Sequence, residues 1–153
     1  MRARRGVAEI GFYHLTRTTT EQALPRLLAR VLAEGGRAVV QCADPARLGA
    51  LDAALWAADQ WLPHNGAPDE DPDLQPIWLT ATDEPAPNGA SFLFLVDGAE
   101  SERLDAYARI LDLFDGGDAT ATEAARTRWT TARDGGHALT YWRQTERGWE
   151  KGL

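Results

Sequence analysis

Three features of the 153-residue sequence predict an α/β fold with a mostly parallel central sheet. The first 57 residues alternate strand, helix, strand, helix. That order builds a βαβ unit, hence parallel pairing with right-handed crossovers. Further on, Ser91-Phe-Leu-Phe-Leu-Val96 has the unbroken apolar run of a strand buried on both faces. No linker long enough to divide domains interrupts the chain, so residues 1–153 read as one layered domain.

The elements follow in order. Glu9-Ile-Gly-Phe-Tyr-His-Leu15 is aromatic and branched and reads as the first strand. Thr18-Thr-Thr-Glu21 matches a capping box, and Leu24, Leu27, Leu28, Val31 and Leu32 follow at helical spacing up to Gly35-Gly36. Pro25 suits only a first turn, which predicts a start later than the threonines. Arg37 to Ala43 is a second strand. Asp44-Pro45 supplies an N-cap and a first-turn proline for an amphipathic helix through Leu48, Leu51, Leu55 and Trp56. Six of the eight prolines lie between Pro63 and Pro87, so residues 66–90 read as a proline-rich, acidic loop region. Ile77-Trp-Leu79 is a short strand within it. A helix is predicted over 101–114, with Leu104, Tyr107, Ile110, Leu111 and Phe114 on its apolar side. Ala119 to Arg133 is another, capped by Asp118 and ended by Gly135-Gly136. Ala138-Leu-Thr-Tyr-Trp142 is the last strand, with a polar tail after it. Residues 1–8 are expected to be flexible.

Composition narrows the function classes. Hydrophobic residues are 44% and charged residues 25%, as in soluble globular proteins. No apolar run approaches the roughly 20 residues that span a bilayer, so no membrane association is expected. The basic start, Met1-Arg-Ala-Arg-Arg-Gly6, leads into no apolar segment and does not read as a secretory signal. Cys42 is the single cysteine, so no internal disulfide forms and a cytoplasmic setting is the expectation. The net charge of −7 argues against general DNA coating. Charge is uneven: residues 66–125 hold 14 acidic and 2 basic groups, residues 126–153 hold 3 and 6. Fifteen of the sixteen cations are arginine. That bias fits a genomic base composition, since alanine is also abundant, and it also suits bidentate carboxylate recognition.

Catalytic signatures are absent from the sequence. There is no Gly-x-Gly-x-x-Gly, Walker or Gly-x-Ser-x-Gly pattern. Cys42, at a strand end with no histidine beside it in sequence, reads as a structural thiol. His14, His64 and His137 are isolated and have no metal-ligand spacing. His64 reads as a turn hydrogen-bonder. The run Asp69-Glu-Asp-Pro-Asp73 lacks the ligand order of a calcium loop. No metal or cofactor is expected.

Tryptophan is over-represented, with six in the chain. Trp56 and Trp61 flank the end of the second helix and lead into Pro63-His-Asn65. They either close the core or form an aromatic face for another protein. Arg126 and Trp129 stand three apart on the helix at 119–133 and share a face with Thr130 and Arg133. An arginine beside an aromatic suits a partner with a carboxylate and a ring. The other reading is a basic helix end complementing the macrodipole, with Trp129 buried.

Five segments together resemble one family: Phe12-Tyr-His-Leu15, Leu51-Asp-Ala-Ala-Leu-Trp56, Pro63-His-Asn65, Arg126-Thr-Arg-Trp129 and Gly136-His-Ala-Leu-Thr-Tyr-Trp142. The chain is similar to the chi subunit of bacterial DNA polymerase III. The resemblance implies a single Rossmann-like three-layer domain and a non-catalytic accessory subunit of the clamp-loader complex. It implies binding of the acidic, phenylalanine-ending tail of single-stranded DNA-binding protein. The tail residues carried over are Arg126, Arg128 and Trp129, with Phe114 and Leu139 as apolar walls and Thr140 near the rim. It also implies a separate face, Trp56 and Trp61, for the psi subunit or a clamp-loader or helicase partner. Sequence-specific DNA binding is not implied. Thr122 and Thr130 stand where family members often carry lysine. The competing class is a small nucleotide-binding module or enzyme on the parallel sheet, which would need a phosphate loop or a catalytic pair at a strand end.

Overall fold

The computed structural model describes residues 7–66 and 71–152. The Arg2–Arg5 extension and Asp69-Glu70 of the acidic run lie outside the described residues. Eight strands form one sheet in the order β3-β4-β2-β5-β6-β1-β7-β8. They are β1 (Glu9–Leu15), β2 (Ala38–Cys42), β3 (His64–Gly66), β4 (Ile77–Thr80), β5 (Phe92–Val96), β6 (Arg109–Asp115), β7 (Ala138–Thr145) and β8 (Gly148–Gly152). Among the described residues only the β7–β8 pair is antiparallel. The helices are α1 (Thr20–Ala33), α2 (Leu48–Ala57) and α3 (Ala119–Asp134). The strand order is not the 3-2-1-4-5-6 of dinucleotide-binding doubly wound sheets.

Side chains alternate across a strand, and the core accordingly divides in two. Leu24, Leu28 and Val31 of α1 and Leu51 and Leu55 of α2 pack with Tyr13, Val40, Phe94, Leu111 and Leu113. Ala125 and Ala132 of α3, with Trp129 against them, pack with Ile10, Phe12, Leu93, Leu95, Ile110 and Phe114. Alternate residues of one strand therefore serve different helices.

Several expectations are corrected. The segment predicted as a helix over 101–114 is a single 3₁₀ turn at Leu104–Ala106 followed by β6. β6 lies between β5 and β1, and the apolar side chains of Ile110 to Phe114 are buried alternately on the two faces of the sheet. A strand covered on both faces reads as a continuous apolar run, and here one aspartate, Asp112, breaks it into an apparent helical spacing. The first helix starts at Thr20, not later: Thr19 is its N-cap, with the capping box closed by Gln22 and not by Glu21. Pro25 lies inside that helix, buried. The polar tail is the end of β7 and all of β8. Trp149 anchors β8 by meeting the Tyr13 ring edge-on at 5.0 Å. Its neighbours Glu150 and Lys151 put charge on the sheet edge, which disfavours pairing with another chain. The Pro63-His-Asn65 turn runs into β3, at the other edge.

Candidate functional site

β1 and β6 lie side by side, and the chain leaves their C-terminal ends for opposite clusters, through α1 and α3. Parallel sheets bind ligands in such crevices. The register lines up the side chains that α3 covers. Phe114, His14, Arg143 and Glu150 make one row across β6, β1, β7 and β8. Asp112, Phe12, Tyr141 and Gly152 make the next.

α3 crosses these rows. Asp118 caps its start, accepting from the Thr120 and Ala121 amides at 2.9 and 3.2 Å. Arg128 fixes the helix by a two-pronged ion pair to Asp112, at 2.7 and 2.9 Å. Both side chains are nearly inaccessible, at 9% and 2% exposure. Burial raises the Asp112 pKa above its ordinary value, and the Arg128 guanidinium pulls it only part of the way back. The bidentate geometry is that of a carboxylate. With Arg128 pinned on this side, Arg126, Trp129 and Thr130 fall on the other.

There they close a cleft of about 510 Å³. Phe12 and Trp129 meet edge to face at 5.1 Å. His14 stacks on Phe114 at 4.8 Å, and its Nδ1 takes a 2.6 Å hydrogen bond with the Tyr141 hydroxyl. Burial holds the His14 pKa below its ordinary value, with Arg143 and Arg126 adding to that and a backbone hydrogen bond with Gly116 opposing it. Gly116 must be glycine: a Cβ there would overlap the imidazole and stand 2.6 Å from the Leu15 carbonyl. Gly152 plays the same part beside Tyr141, whose ring would lie 2.6 Å from a Cβ. The Thr122 hydroxyl is buried beside the cleft without a hydrogen-bond partner among the described residues. Arg126 is 75% exposed at the rim, its only ion pair among the described residues a 3.6 Å contact with Glu123.

Of the residues carried over from the resemblance, the structure thus brings Phe114, Arg126 and Trp129 together. Leu139 is on the same face, one row below Tyr141, packed against the α3 cluster and outside the cleft. Thr140 points to the opposite face, where its hydroxyl accepts from the Trp142 indole at 3.1 Å. Arg128 turns away to Asp112. Phe12, His14 and Tyr141 complete the walls and were not assigned from sequence. The period of two would have found Tyr141, since a wall at Leu139 excludes Thr140 and selects 141.

Trp56 and Trp61 do not close the core. They are 60% and 78% exposed at the end of α2. Trp56 lies against the His64 ring at 4.6 Å. His64 bonds the Leu62 carbonyl through Nδ1 at 2.6 Å and Asp52 through Nε2 at 2.9 Å. Cys42 is buried, its thiol donating to the Asp44 carbonyl, and burial raises its pKa. Neither property suits a nucleophile. Among the described residues no group of side chains could hold a metal ion, and no helix is long and apolar enough to cross a membrane.

No curated protein matches the chain significantly. A family model does: the one described as DNA polymerase III chi subunit, HolC, matches residues 7–140 of the 153. The chain belongs to the DNA polymerase III chi subunit family.

Proposed function

We propose that this chi-family chain captures the acidic, phenylalanine-ending tail of single-stranded DNA-binding protein in the cleft under α3, and so links that protein to the clamp loader of the replisome. It acts as a non-catalytic adaptor in the cytoplasm, a single Rossmann-like three-layer domain needing neither cofactor nor metal. The observation that carries the reading is one cleft that joins aromatic walls to an exposed guanidinium. The terminal ring packs among Phe12, Phe114, Trp129 and Tyr141. Arg126 pairs with the terminal carboxylate. Ordering a flexible tail opposes binding, so the affinity is roughly micromolar. Trp56 and Trp61 serve a second partner, the psi subunit or a clamp-loader or helicase protein. A sheet of parallel strands also suits nucleotides, but the Asp115-Gly-Gly-Asp118 turn from β6 into α3 lacks the phosphate-loop spacing, and the Asp115 and Asp118 carboxylates already take its amides.

Calorimetric titration tests this with two synthetic tail peptides, one ending in phenylalanine and one lacking it. The full peptide binds and the truncated one loses most of its affinity. Equal binding of both, or of neither, contradicts the reading.

A further inference from the structure

The sheet register puts Arg143 directly beside His14, and Glu150 directly beside Arg143, on the face that α3 covers. Arg143 therefore stands one strand beyond His14, next to the residues that line the cleft, and both it and Arg126 are close enough to act electrostatically on His14. Each guanidinium already has one carboxylate from this chain. Arg126 meets Glu123 at 3.6 Å and Arg143 meets Glu150 at 3.5 Å. All four side chains are more than half exposed. The Arg128–Asp112 pair is shorter, bidentate and buried. Long, exposed, single-contact pairs are worth little and exchange readily.

We propose that Glu123 and Glu150 are internal stand-ins for a partner's carboxylates. An acidic peptide with a C-terminal aromatic residue binds by displacing them, and Arg143 is a second recognition cation beside Arg126. The inference rests on the reading of the cleft as a tail site, and adds how that site is tuned. The two arginines and two glutamates cancel beside the cleft, so neither guanidinium is bare in the free protein. Binding trades one carboxylate for another at each guanidinium, and the peptide gains only the difference. The ring in the cleft then supplies specificity, and the internal carboxylates hold the affinity down.

Peptide titration of the full chain separates the possibilities. Glu150→Gln and Glu123→Gln each tighten binding of a synthetic acidic peptide ending in phenylalanine by about two- to fivefold, the size of an exposed ion pair. Asp134→Asn, which removes the same charge from a similar exposed pair at the far end of α3, changes affinity much less. Arg143→Ala weakens binding and abolishes the gain from Glu150→Gln, a coupling that a double-mutant cycle reads. If wild type binds, Trp129→Ala does not, and the two glutamine variants match Asp134→Asn, the stand-in proposal is wrong while the tail site survives. If wild type fails to bind the peptide at all, both are overturned.

Discussion

The cleft under α3 draws its side chains from α3, β1, β6 and β7, whereas the tryptophans at the end of α2 come from one short stretch of chain. In the cleft, Phe12, Phe114, Trp129 and Tyr141 are each part of the packed interior and meet only because the strand register aligns them. Trp56 and Trp61 stand out from the surface, Trp56 against the His64 ring. The contrast separates two ways of presenting aromatic surface. One is preorganised by the core and should be sensitive to anything that moves α3. The other is an addition to a finished fold and should be removable at little cost.

The largest effect is expected where the cleft is anchored. Arg128→Ala leaves Asp112 buried without its counter-charge, which costs about 3–5 kcal/mol. Urea denaturation reads the loss, and replacing both partners, Arg128→Met with Asp112→Leu, restores most of it. A double variant as unstable as the single one would mean that the ion pair is not what holds α3 down.

Next come the cleft residues themselves. Trp129→Ala and Arg126→Ala each cost about 1–3 kcal/mol of tail-peptide affinity, the first through ring contacts, the second through a charge-assisted hydrogen bond. Circular dichroism must show folded protein in both. The salt dependence of wild-type binding is shallow beside that of a polybasic site, because few free cations remain at the mouth.

How much of this the sequence discloses depends on how local each feature is. The βαβ start, β5, and α3 with its Asp118 cap are legible, since hydrophobic period and capping are local signals. β6 is not, because the pairing of Asp112 with Arg128, sixteen residues on, disguises a buried strand as one face of a helix. β8 is hidden for a similar reason: Trp149 finds its partner Tyr13 only across the sheet. For the site, that Arg126 and Trp129 share a face follows from helical spacing, while their reading as tail residues comes from the family resemblance. Phe12 and His14 need the register, which no periodicity within one segment reveals, whereas Tyr141 follows from Leu139 by the strand period of two. Trp61 is visible as an oddity past a helix end, yet its exposure is a fact of packing.

His14 sharpens the comparison through pH. Its folded-state pKa lies below the ordinary value, mainly because it is buried. The unfolded chain then binds the proton better. Stability is full above the ordinary histidine pKa and is lost as pH falls through the lower folded value. Thermal melts between neutral and mildly acidic pH show that loss, and His14→Gln reduces it. An unchanged pH profile in the variant would place the titrating group elsewhere.

The smallest effect belongs to the exposed face. Trp61→Ala leaves stability within about 0.5 kcal/mol of wild type, as for surface changes generally, and leaves tail-peptide affinity intact. Pull-down of a psi, clamp-loader or helicase partner is weakened. Loss of both partners together from a folded protein would mean that the two surfaces are not independent.

The claim that the α3 cleft receives the tail, and that the α2 end does not, is tested most directly by NMR. Amide shifts of the labelled chain are followed as the phenylalanine-ending acidic peptide is added. The prediction is that shifts concentrate at Phe12, His14, Phe114, Arg126, Trp129 and Tyr141, while residues 51–66 stay still. Shifts centred on Trp56 and Trp61, with the α3 cleft unmoved, would contradict it.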